Sequence, residues 1–190
     1  MRIGLFFGSF NPIHIGHLII ANYILNETDL EKIWFVISPL NPFKINNVLL
    51  DENVRVDLAK AAIKNDDRIL VSDVELQLSR PSFTINTLSY LKENYPDNKF
   101  SIIMGSDSFR NLHQWKNFES IISSYKILFY RRPSFEIENA INAEIEIINA
   151  PQLNISSTDV RKLIEEGKSI RYLVPEKVRK EIEKNKYYKK

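Results

Sequence analysis

The chain of 190 residues is 44% hydrophobic and 26% charged, the proportions of an ordinary soluble globular protein with room for a substantial core. Its formal net charge of +2 is too small to argue for a nucleic-acid or membrane partner. Cysteine is absent, which excludes disulfides, thiolate catalysis and cysteine-ligated zinc.

In chain order, RIGLFF reads as a buried strand, and GHLIIANYILNE as a helix with Leu18, Ile19, Asn22 and Leu25 at helical spacing. IWFVIS is a second strand, and DENVRVDLAKAAIKN a second helix for which Asp51 is the expected cap. ILVSD follows as a strand, then TINTLSYLKENYP as a helix ended by Pro96. FSIIMG and YKILFYRR are two more strands, separated by a shorter helical stretch near NFESIISS, and EIEIINA is a further short strand. SSTDVRKLIEEG is a helix with Ser or Thr caps and Gly167 as its stop. PEKVRKEIEKN is a last helix with proline at its first turn, and the basic VRKEIEKNKYYKK reads as a solvated terminal helix fraying into a lysine tail. No run of about 18 apolar residues occurs, and no small-residue cleavage site follows the short apolar run in MRIGLFFGSF, so a soluble, cytoplasmic protein is expected.

Strands alternating with helices imply a mostly parallel sheet with helices on both faces. The expected architecture is a Rossmann-like, doubly wound α/β fold in a single domain over residues 1–190, with 156–190 as its C-terminal helical part. Ligands of such folds sit outside the carboxyl ends of the strands, near a topological switch point. The segments to inspect are therefore GSFNPIHIGH, SPLNPFK, GSDSF and RRPSF.

Three of the five glycines, Gly8, Gly16 and Gly105, fall in or beside these segments. Gly8 lets the backbone turn and expose N–H groups, and Gly16 lets a ligand approach a helix start, where free N–H groups make an anion site. GSFNP matches neither the dinucleotide fingerprint nor the lysine-bearing P-loop, so a phosphate here needs another source of positive charge. His14 and His17, two of only three histidines, stand at i and i+3 on one side of the first helical turn. Core packing, metal ligation and phosphate contact are the three readings of such a pair. Apolar packing does not call for two histidines around a glycine, and no acidic or cysteine partner sits nearby to complete a metal site, which favours phosphate contact. In NISSTDVRKLI the three hydroxyls Ser156, Ser157 and Thr158 exceed what one helix cap needs, and Arg161 lies one turn on. Hydroxyls, helix N–H groups and an arginine together suit a polyphosphate.

These residues carry a resemblance. HIGH resembles the signature of the nucleotidyltransferase superfamily, shared with class I aminoacyl-tRNA synthetases. The set GSFNPIHIGH, NPFK, PSFT, GSDSF, QWKNFE, RRP and ISSTDVR is similar to the bacterial nicotinate-nucleotide adenylyltransferase family, from Gly8 to Arg161, and the ending IRYLVPEKVRKEI also fits. The resemblance implies transfer of AMP from ATP to the 5′-phosphate of nicotinate mononucleotide, with Mg²⁺ bound through the ATP phosphates. It implies that His14, His17, Lys44 and Arg161 are catalytic, and that Gly8, Ser9, Phe10, Gly16, Gly105, Asp107, Ile155, Ser156, Ser157 and Thr158 hold ATP. Asn41, Thr84, Trp115, Lys116 and Arg132 match positions lining the mononucleotide pocket, Trp115 being the residue that stacks on the pyridine ring. The partners are these small molecules, with no nucleic acid and no membrane, and with a homo-oligomer left open.

The family commonly reads Gly-Gly-Thr-Phe-Asp-Pro where this chain has Phe7-Gly8-Ser9-Phe10-Asn11-Pro12. Asn11 keeps a turn-forming amide without the negative charge, and Phe7 narrows the approach to the nucleotide. Adenylyl transfer to phosphopantetheine shares the histidine turn, but PSFT, QWKNFE and ISSTDVR argue against it. Nicotinamide mononucleotide differs from the expected acceptor only at the carboxylate. A tRNA synthetase is disfavoured by the short chain and the absence of KMSKS. A nucleotide-binding regulator without turnover has no need of His14, His17 and Arg161 together.

Overall fold

Apolar side chains run nearly unbroken along the central strands of the computed structural model, which describes residues 1–39, 49–130, 144–151 and 153–189. The strands are β1 (Arg2–Gly8), β2 (Lys32–Ile37), β3 (Ile69–Ser72), β4 (Lys99–Gly105), β5 (Ile127–Tyr130) and β6 (Ile145–Ile148). They form one sheet in the order β3-β2-β1-β4-β5-β6, with every neighbouring pair parallel. This is the doubly wound order, and its direction of winding reverses between β1 and β4.

The period-two alternation sends residues to two cores. Ile3 and Leu5 of β1, Ile102 and Met104 of β4, and Ile127 and Phe129 of β5 face one core. Phe6, Ile103, Leu128 and Tyr130 face the other. The first core is closed by α4 (Thr84–Asn94), α6 (Phe118–Ser124) and the short helices between β4 and β5: α5 (Ser106–Arg110) and a 3₁₀ turn at Leu112–Gln114. The second is closed by α1 (Ile15–Glu27), α2 (Glu52–Ala62), α7 (Ser157–Glu165) and α8 (Glu176–Asn185). A one-turn helix, α3 (Val74–Gln77), follows β3.

The expected caps are present. The Asp51 side chain accepts from the Asn53 N–H at 2.9 Å, and Ser156 accepts from the Asp159 N–H at 3.1 Å, so α2 and α7 start where their cap residues predict.

Two expectations change. In α1 the buried positions are Gly16, Ala21 and Ile24, while Asn22 is exposed and accepts from Arg68 Nη2 at 3.0 Å. This helix is apolar on most sides, so spacing alone does not choose its inner face; the small residues Gly16 and Ala21 do, by allowing close approach. The terminal segment is not simply solvated. Val178 and Ile182 are buried, α8 packs on α2, and beyond the helix the Tyr188 hydroxyl donates to Asn11 Oδ1 at 2.8 Å. A lysine-rich composition conceals the apolar stripe that α8 buries.

Candidate active site

The turn that leaves β1 organises the site. Phe10 has φ of 43° in the left-handed region, a conformation costing a non-glycine residue about 1–2 kcal/mol. Its ring is held in the core against Phe6 and Phe35, at centroid distances of 5.9 and 5.1 Å. The surrounding elements each bind a carbonyl or side chain of the turn. Ser157 Oγ donates to the Pro12 carbonyl at 2.9 Å, and Arg161 Nη1 to the Asn11 carbonyl at 2.7 Å. The Leu50 N–H donates to Asn11 Oδ1 at 3.2 Å, beside the bond from Tyr188. Asn11 thus acts as a buried hub where the C-terminal segment meets the chain entering α2, a role an amide fills with its carbonyl oxygen.

His14 is the residue from which α1 springs, and His17 lies one turn inside. Their rings stack at 3.7 Å with an interplanar angle of 25°. The His14 backbone N–H donates to His17 Nδ1 at 3.2 Å, which makes Nδ1 an acceptor and leaves the ring proton on Nε2 in the neutral tautomer. The edge contact of His17 with Phe10, centroids 4.9 Å apart, fixes the ring from the other side. The pair is therefore locked by backbone and packing together.

Two cavities open at the strand ends. One, of about 310 Å³, is lined by Gly8, Ser9, Phe10, Asn11, His14, His17, Ser156, Ser157, Thr158 and Arg161. Its wall is imidazole, hydroxyl, guanidinium and backbone, a set of donors suited to phosphate oxygens. The other, of about 210 Å³, is lined by Ser38, Glu75, Ser82, Phe83, Thr84, Met104, Gln114, Trp115 and Lys116. The two share Phe6, Phe7, Gly8, Gly105, Ser108 and Tyr130, at the reversal between β1 and β4. Gly105 is required there, because a Cβ would meet the Tyr130 ring and hydroxyl at 2.6–2.9 Å.

The second cavity is lined by aromatic side chains and one buried carboxyl. Trp115 is half-buried, and Lys116 Nζ lies 4.6 Å from the Phe83 ring centroid. Asn117 has φ of 54°, and among the described residues the N–H groups of Lys116 and Asn117 have no protein acceptor. Glu75 is buried and accepts from Thr87 Oγ1 at 2.8 Å. Burial pushes its carboxyl above the usual carboxylate range, against the hydroxyls of Ser38, Thr87 and Ser82.

Of the residues singled out from sequence, ten of the nucleotide set and three of the mononucleotide set line these cavities: Gly8, Ser9, Phe10, His14, His17, Gly105, Ser156, Ser157, Thr158 and Arg161 in one, Thr84, Trp115 and Lys116 in the other. Gly16 and Ile155 lie behind His14 rather than on the wall: a Cβ on Gly16 would touch the His14 ring and come within 3.9 Å of Ile155 Cβ. The backbone of Asp107 is in α5. Asn41, Lys44 and Arg132 lie outside the described residues. Among the described residues no group of three or more His, Cys, Asp or Glu is arranged to hold a metal ion, and no helix is long and apolar enough to cross a membrane. Sequence reasoning missed Glu75, Ser108, Tyr130 and Tyr188.

The cytidylyltransferase-like family model matches residues 5–163. A Flavobacterium johnsoniae protein named "Probable nicotinate-nucleotide adenylyltransferase" is 46% identical over 193 aligned residues, covering 100% of both chains. One of the same name from Cytophaga hutchinsonii is 46% identical over 191 residues, covering 99% of this chain and 98% of that one. Among solved structures, the Plasmodium falciparum nicotinic acid mononucleotide adenylyltransferase complexed with NaAD shares the fold, with a TM-score of 0.82 at 23% identity, covering 98% of this chain and 97% of that one. The same protein complexed with APC gives 0.81 at 23% identity, covering 98% and 96%.

Proposed function

The chain belongs to the cytidylyltransferase-like family and within it to the nicotinate-nucleotide adenylyltransferases, and from that premise we propose that it transfers AMP from ATP to nicotinate mononucleotide, giving deamido-NAD and pyrophosphate. The observation that carries this reading is the pair of cavities meeting at the β1–β4 reversal, one walled by phosphate-binding groups and one by an aromatic face. Two nucleotides placed in them would bring their phosphates together at Gly8 and Gly105.

The attacking group is an oxygen of the mononucleotide phosphate. It bonds to the α-phosphorus of ATP, the bond from that phosphorus to the α–β bridging oxygen breaks, and pyrophosphate leaves with the electron pair. The attacking phosphate is already anionic, so the chain need supply no nucleophile, and catalysis reduces to positioning and charge stabilisation. His17 offers its Nε2–H to the phosphates, and the stacked His14 holds it in place and adds its own donor. Ser156, Ser157, Thr158 and Arg161, with the turn at Gly8, Ser9 and Phe10, cradle the triphosphate. Part of their hydrogen bonding goes into holding the turn, so they act as frame and receptor together. Lys44, Asp107, Gly16 and Ile155 enter the ATP site, and Asn41 and Arg132 the mononucleotide site, by the family resemblance. Mg²⁺ would ride on the ATP phosphates and neutralise their charge; the wall of imidazoles, hydroxyls and the Arg161 guanidinium suits phosphate oxygens and lacks the oxygen-ligand cage of a resident Mg²⁺.

Trp115 offers a π-face to the cationic pyridinium, and the open N–H groups of Lys116 and Asn117 suit a nicotinate carboxylate, an acceptor that the neutral amide replaces only poorly. We place the reaction in the cytoplasm, with small molecules as its partners.

The test is pyrophosphate release with ATP and Mg²⁺ and, in parallel, nicotinate mononucleotide, nicotinamide mononucleotide or phosphopantetheine. Preference for the nicotinate nucleotide, with deamido-NAD as product, is expected. Release with another acceptor alone overturns the substrate, and release with none overturns the activity.

A further inference from the structure

Arg55 of α2 is 1% exposed and is the largest fully buried side chain among the described residues. Among the described residues its guanidinium bonds only to backbone carbonyls: Nε to Leu50 at 3.0 Å, Nη1 to Ser9 at 2.6 Å and to Ser38 at 2.8 Å, and Nη2 to Pro39 at 2.9 Å. It thereby joins the chain leaving β1 to the chain leaving β2 and to Leu50, the residue before the α2 cap. Among the described residues no carboxylate forms an ion pair with it. The neighbouring Asp51 caps α2, and Glu52 pairs with Arg80. Burial works against the charge of Arg55, and Glu52, Tyr188 and Asp51 oppose that effect only at longer range.

A buried cation without an anionic partner is costly, and fold stability alone does not explain retaining one. Neutral donors could satisfy carbonyls at lower cost. The carbonyl nearest to the guanidinium belongs to Ser9, which lines the cavity of imidazoles, hydroxyls and Arg161. The charge therefore sits immediately behind the turn whose far side faces that cavity, in a low-dielectric setting where its field is weakly screened.

We propose that Arg55 is an electrostatic positioning residue for ATP, its buried charge acting through the Ser9 turn on the phosphates, which provide the counter-charge that the protein withholds. The proposal rests on the reading of that cavity as the triphosphate site. Arg55 touches no reacting atom. Its four carbonyl bonds stabilise the packing of the turn, and its charge raises the local affinity for a polyanion.

Arg55→Lys and Arg55→Gln separate these contributions. Lysine keeps the charge and loses the fork, and glutamine keeps donors and loses the charge. Both should melt at lower temperature than the wild type, since both break carbonyl bonds. For Arg55→Gln, the KM for ATP should rise about tenfold, while kcat and the KM for nicotinate mononucleotide stay within about threefold. For Arg55→Lys, the KM for ATP should stay within about threefold of wild type. Equal increases for both variants, or no increase for Arg55→Gln, overturn the proposal. If Arg55→Gln does not fold, Arg55→Lys decides alone, and a KM for ATP raised tenfold or more overturns it. Calorimetric ATP binding to the same proteins gives the same comparison without turnover, so a wild type that binds ATP but transfers no AMP refutes the activity without deciding the role of Arg55.

Discussion

Gly16→Ala is expected to raise stability slightly and lower turnover. Gly16 lies in the first turn of α1, directly beneath His14, and an added Cβ would stand 3.0 Å from His14 Nδ1 and 3.1 Å from Cε1. To restore ordinary van der Waals contact the imidazole must move by about 0.5 Å. It is stacked on His17 at 3.7 Å, so it cannot move without disturbing the pair. Alanine in place of helical glycine gains at most about 0.5–1 kcal/mol, which for a chain of this size is a rise in Tm of up to about 4 °C. A 1 Å misplacement of a catalytic group costs about 10²-fold in rate, so half that should lower kcat by about tenfold. The assay is kcat from pyrophosphate release at saturating substrates, beside Tm from a thermal scan. An unchanged kcat in a folded variant would show that the placement of the His14 ring does not matter. A Tm lowered by several degrees would show that the ring cannot yield and that the steric argument has the wrong sign.

Three further expectations follow from the site. Trp115→Ala should raise the KM for nicotinate mononucleotide by about 2–30-fold, the span of a lost cation–π contact, with the KM for ATP unchanged; a change in the ATP value alone would remove Trp115 from the mononucleotide pocket. Glu75 has a carboxyl pKa raised above the ordinary 4.5 by burial, so the native state holds its proton to higher pH than the unfolded chain does, and the stability this contributes is present below 4.5 and lost as pH rises through the native value. Glu75→Gln keeps the acceptor for Thr87 and removes that titration, so its stability relative to wild type should grow with pH from 4.5 upward; denaturant unfolding across pH giving a constant difference would contradict this. Tyr188→Phe removes one donor to Asn11 and should cost about 1 kcal/mol, read as a lower denaturant midpoint with unchanged m.

Much of this arrangement was legible in the chain itself. Strands such as FSIIMG are apolar on both faces because helices cover both sides of the sheet, and the alternation of such strands with helical segments along the chain led to the parallel architecture and to its carboxyl ends. His14, His17 and the hydroxyl run at Ser156–Thr158 were legible because such residues have no packing reason to cluster at helix starts. Arg55 and Glu75 were not: a charged residue inside a helical segment such as DENVRVDLAKAAIKN normally reads as exposed, and Glu75 lies between expected elements, so the burial of both depends on elements that meet only in the tertiary fold. Tyr130 reads as a strand residue, and its place between the cavities follows from β5 lying beside β4. Tyr188 was concealed by a lysine-rich tail, and its bond to Asn11 spans a sequence separation of 177 that no local pattern encodes.

If AMP changes hands at the His14–His17 turn, as proposed, the decisive variant is His17→Ala. Turnover with ATP and nicotinate mononucleotide should fall by about 10³-fold, the scale of losing a transition-state donor, while ATP affinity by calorimetry stays within about threefold of wild type. Turnover kept within about tenfold of wild type would mean that the histidine wall is not the catalytic one.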